Sequence, residues 1–127
     1  MLKNYTTTKV DFELFKKECE KWIEVFGLKG WSVVYCHDEK KCDNYAEVWY
    51  NLKARCATIT LIKKWGNLFT GKDFQIKQSA FHEARELFYA RINLLAKARY
   101  VTEYEIDEEI HNLIRNDENL IFKCEVT

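Results

Sequence analysis

The spacing of apolar side chains divides this chain into three stretches. Between Asp11 and Phe26 the residues Phe12, Phe15, Cys19, Trp22, Ile23 and Phe26 recur at helical intervals, with lysines and glutamates on the other face. That pattern predicts a helix, ended by Gly27 and Gly30. The residues before it are polar and are expected to be loose as far as Val10. After Gly30 the period shortens. Trp31 to His37, Tyr45 to Asn51 and Ala54 to Ile62 read as strands. In the third, Ala57, Ile59 and Leu61 alternate with Thr58 and Thr60, the pattern of a strand with one face buried. Asn51, Leu52 and Lys53 supply a short hairpin connection, and Lys63 to Lys72, with two glycines, reads as a loop.

At Asp73, a candidate N-cap, the helical period returns and runs to about Ala98. Phe81, Ala84, Phe88, Ile92 and Leu95 form its apolar stripe. A further helix starts after Thr102, which with Glu105 fits a capping box. Ile106, Ile110, Leu113 and Ile114 are its apolar side, and Asn116 and Asp117 are its expected end. Leu120 to Val126 is a short apolar tail, either a last strand or a packed extension. The order predicts an α+β fold: an N-terminal helix, a small sheet of at least three strands, then two helices.

Length and composition narrow the function classes. The 127 residues suit one domain, 1–127, large enough to bury a core. Twenty basic residues balance twenty acidic ones, which argues against a nucleic-acid partner. No stretch approaches the ~20 apolar residues of a membrane span, and no signal peptide is visible, so a cytoplasmic protein is expected. Five cysteines without a Cys-x-x-Cys pair argue for free thiols rather than a disulfide framework. Cys36 and Cys42, with His37 beside the first, have only a loose metal-binding spacing. Four Trp, seven Tyr and eight Phe would mark a protein contact surface if exposed, although core packing is the commoner fate of aromatics.

The candidate chemistry lies in Phe81-His82-Glu83-Ala84-Arg85-Glu86. In a His-Glu-x-x-His helix two imidazoles one turn apart hold a metal, and the Glu is a general base. Here Glu86 stands where the second His belongs. At roughly 100° per residue, His82 and Glu86 share a face and Glu83 lies further round. Either a metal site survives with a carboxylate ligand, or the site is lost and the fold kept. A polar stripe beside an apolar one also occurs on any amphipathic helix. A catalytic zinc needs a third ligand, for which Glu103, Glu105, Glu108, Glu109 and His111 are candidates. An acidic first turn needs no metal to explain it, since carboxylates suit the helix dipole there. Glu109 borders the apolar side, whereas His111 lies further from it, as a solvated histidine would.

Several segments in order carry a family resemblance. They are Trp31-Ser32-Val33, Ala46-Glu47-Val48, the run from Leu52 to Leu61, the motif helix, Ala98 to Glu103, and an acidic helix through Glu109, His111 and Arg115 to Leu120. From about Trp31 onward the chain resembles a family of small zincin-like metallopeptidases of bacteriophages and prophages. The resemblance implies a zincin-like fold with a mixed sheet beside the motif helix, and a zinc cofactor. It implies His82 as a ligand, Glu83 as the base and Glu86 in the second ligand position. Glu109 is the first choice for the third ligand and His111 the second. A peptide or protein substrate is implied, held by an edge strand. The alternative is an inactive zincin-fold protein that binds a host or phage protein.

Overall fold

In the computed structural model, residues 3–39, 44–68, 71–98 and 100–122 are described. The elements are β1 (Lys3–Thr6), α1 (Lys9–Val25), β2 (Ser32–Asp38), β3 (Ala46–Asn51), β4 (Cys56–Ile62), β5 (Lys64–Leu68), α2 (Lys72–Phe88), α3 (Ala90–Lys97) and α4 (Glu103–Ile121). The architecture is α+β. The three-stranded sheet has the order β2-β4-β3, with β2 parallel and β3 antiparallel to β4. Strand β4 is therefore central; its Ala57, Ile59 and Leu61 are buried as expected, but Thr60 and Ile62 are buried as well, so its second half is covered on both faces. Phe15 and Cys19 of α1 and Ile76 and Ala80 of α2 pack with Ala46, Ile59 and Leu61 into one core cluster. A second cluster joins Phe26, Trp31, Ala57, Ala84, Leu87 and Leu113. No helix among the described residues is long and apolar enough to cross a membrane.

The N-terminal segment differs from the expectation of looseness. β1 pairs antiparallel with β5, Tyr5 opposite Trp65, and the Thr7 amide donates to the Lys63 carbonyl at 2.7 Å. So the expected loop from Lys63 to Lys72 contains a strand. Its polar residues hid it: the ribbon is anchored by Trp65, 2% exposed, whose indole N–H donates to the Tyr45 carbonyl. α1 begins two residues before Asp11, because Thr8 and Asp11 form a reciprocal capping box.

Asp73 is not the N-cap of α2. Gly71 holds that position without a side-chain bond, and Asp73 lies in the first turn, where its charge suits the dipole. The expected single helix to Ala98 breaks at Tyr89 into α2 and α3. No glycine or proline marks the break. Leu87, Phe88 and Ala90 on either side of it are all buried. α4 starts on the expected Thr102–Glu105 box but runs past Asn116 and Asp117 to Ile121. Asp117 is helical, and its carboxylate takes the Arg85 guanidinium. The tail beyond Phe122 lies outside the described residues, as do Cys42 and Cys124. Cys19, Cys36 and Cys56 are free.

Candidate metal centre

Helix α2 runs beside strand β3, the edge of the sheet. Between them lies an open depression of about 610 Å³, with Ala46, Glu47 and Val48 on one wall and Ser79, His82 and Glu86 on the other. The Ile62 amide donates to the Tyr45 carbonyl at 3.0 Å. The alternation of an antiparallel ladder then turns the Ala46 and Val48 backbone groups away from β4, toward the open edge.

The 3.6-residue period brings the motif residues together as expected. His82 Nε2 lies 3.6 Å from Glu86 Oε2, and both side chains are largely exposed. One donor atom from each of His82, Glu83 and Glu86 falls within 4.8 Å of the others, the only such group of three among the described residues. Glu83 turns inward and is 4% exposed. Its Oε2 has no hydrogen-bond partner among the described residues. An orphaned buried oxygen of this kind costs stability unless something satisfies it. Burial, the Glu86 carboxylate beside it and the charge of Glu47 push the Glu83 carboxyl up to about 8.

The donor set fits a zinc-like cation. Zinc ligands sit at ~2.0–2.2 Å, so two of them span a little under twice that distance, close to the His82–Glu86 separation. The coordination from protein is nevertheless short of a catalytic set if Glu83 is the base, because α4 sends nothing. Glu109, the first choice for a third ligand, is 8% exposed and accepts from Arg91 Nε at 2.9 Å in a different cavity. His111 is exposed near the middle of α4, with Nδ1 2.8 Å from the Asp107 carbonyl oxygen. Neither joins the cluster of His82, Glu83 and Glu86. The remaining α4 candidates, Glu103, Glu105 and Glu108, do not join it either.

Glu47 is the residue that motif reasoning missed. It sits on β3, and no local pattern ties it to a helix thirty-odd residues later; only the pairing of the sheet edge with α2 brings it to Glu83. Comparison with known proteins gave no match: no family model, no curated protein and no solved structure is significantly similar to the chain.

Proposed function

We propose that this domain is a zincin-type metallopeptidase of the bacteriophage kind, which cleaves peptides in the groove between α2 and β3 in the cytoplasm of the host cell. His82 and Glu86 would hold the zinc, and Glu83 is the general base. The observation that carries this reading is the placement of Glu83: a buried carboxyl with an unpartnered oxygen, flanked by two exposed donors one helical turn apart. When bound, zinc supplies Lewis acidity, polarising a peptide carbonyl and easing the deprotonation of water. Glu83 accepts the proton of the attacking water and delivers it to the departing amine. In the metal-free protein Glu83 keeps its own proton up to about 8, through burial and the neighbouring Glu86 and Glu47 carboxylates. A cation held by its neighbours favours the ionised, basic form. The β3 edge holds the substrate backbone by strand addition, through the Ala46 and Val48 groups that face away from β4.

A second reading has its own support. Glu109 is committed to Arg91, and α4 offers no ligand to the cluster. This favours an inactive zincin-like scaffold that binds a host or phage protein. Incubation of the zinc-loaded protein with an unbiased peptide mixture separates the two. Cleavage that disappears in Glu83→Gln, with zinc retained, supports the peptidase. Zinc binding with no cleavage of any peptide supports the scaffold.

A further inference from the structure

A second depression, about 340 Å³, lies between the C-terminal end of α1, the β3–β4 turn and helix α4. We propose that it binds a small amphiphilic monoanion: an apolar body carrying one carboxylate. Its lining is mixed: Phe26, Trp31, Leu52, Phe88 and Leu113 supply apolar surface, and polar and charged side chains supply the rest. Its polar groups include three arginines, Arg55, Arg91 and Arg115. Arg91 is neutralised by Glu109. Arg55 and Arg115 have no carboxylate partner among the described residues: Arg55 lies over the Trp31 ring at 5.5 Å, and Arg115 Nη1 donates to Asn112 Oδ1 at 3.2 Å. A mixed lining of this kind suits a ligand with an apolar body and a charged end, and this volume is at the small end of the range for small-molecule sites. A guanidinium fork matches a carboxylate. The Glu109 carboxylate in the wall disfavours a dianion.

A second, independent observation points to the same place. Arg55 has φ 54°, the only non-glycine residue with positive φ among the described residues. Its N–H donates to the Leu52 carbonyl and its own carbonyl accepts from the Ser32 amide, so the conformation is fixed on both sides. A turn of this kind calls for a left-handed residue, and glycine or asparagine fills that position at lower cost. The turn carries an arginine instead, and that arginine covers Trp31 at the mouth of the cavity. Non-glycine residues held in sparsely populated backbone regions gather at binding sites. The metal groove is lined by no lysine or arginine, so the two depressions carry opposite charge.

The test uses naphthalene-2-carboxylate and its uncharged analogue naphthalene-2-methanol. Binding is followed by calorimetry and by the indole N–H signal of Trp31, identified by its absence in Trp31→Phe. The carboxylate should bind one equivalent and move the Trp31 signal. The alcohol should bind roughly tenfold more weakly, as the loss of one charge-assisted hydrogen bond predicts. Arg55→Gly should weaken the carboxylate by a similar factor while leaving or raising the melting temperature, because glycine suits the left-handed position. Arg115→Gln should also weaken it. Equal binding of alcohol and carboxylate, an unmoved Trp31 signal, unchanged affinity in Arg55→Gly, or no saturable binding at millimolar ligand would each overturn the proposal.

Discussion

Replacing Glu83 with Gln should make the metal-free protein more stable at alkaline pH and flatten its pH dependence. The carboxyl's ordinary value of 4.5 is pushed up to about 8 in the fold by burial, by Glu86 and by Glu47. Between those values the folded chain keeps a proton that the unfolded chain releases. Stability therefore falls as pH rises through this window, at up to ~1.4 kcal/mol per pH unit. The full shift sets a ceiling of roughly 5 kcal/mol. Glu86 shares the interaction and is half exposed to water, so an effect of about 2–3 kcal/mol is expected. Gln fills the same volume and cannot ionise. Urea unfolding in the presence of EDTA, at pH 5 and at pH 8.5, measures the difference. Wild type should lose stability between the two pH values, and Glu83→Gln should lose little. Parallel profiles for the two proteins would refute the assignment of the buried proton to Glu83.

Asp11 is almost fully buried. Burial works to raise its pKa but is outweighed by hydrogen bonds from Tyr5 and the Thr8 amide and by Lys72, so the carboxyl lies below its ordinary range. Its stabilisation is present above the unfolded value and is lost as pH falls through the folded one; Asp11→Ala should cost about 2–3 kcal/mol at neutral pH, read by thermal or urea unfolding. The Cys19 thiol is fully buried and burial raises its pKa strongly, so it should resist a thiol reagent in the native protein and react on unfolding. Rapid labelling of Cys19 without unfolding would contradict its place in the core. Arg91→Met should destabilise the protein by stranding the nearly buried Glu109, and Arg91→Met with Glu109→Leu should recover most of the loss. A double variant no better than the single one would show that the pair contributes more than mutual neutralisation.

The elements legible in the sequence are those whose burial is local and periodic. β4 shows alternation in its first half, α1 keeps its stripe, and the Thr102–Glu105 box marks the start of α4. What escaped depends on partners distant in the chain. β1 and β5 are strands only because each pairs with the other, sixty residues apart. The break at Tyr89 lies among the buried Leu87, Phe88 and Ala90, and no residue type announces it. The same division holds at the site. His82, Glu83 and Glu86 share one helix, so their juxtaposition follows from helical geometry. A third ligand would have to come from another element, and spacing along α4 does not reveal that Glu109 is turned to Arg91. Glu47 reaches Glu83 through the position of the sheet edge, which the sequence pattern does not specify.

Zinc titration of protein purified without chelator or metal-affinity tag, with His82→Ala and Glu86→His alongside, tests the account most directly. Wild type should bind close to one equivalent, His82→Ala should bind none, and Glu86→His should bind more tightly by restoring an imidazole ligand. No zinc binding by wild type, or unchanged binding in His82→Ala, would contradict a metal centre on α2.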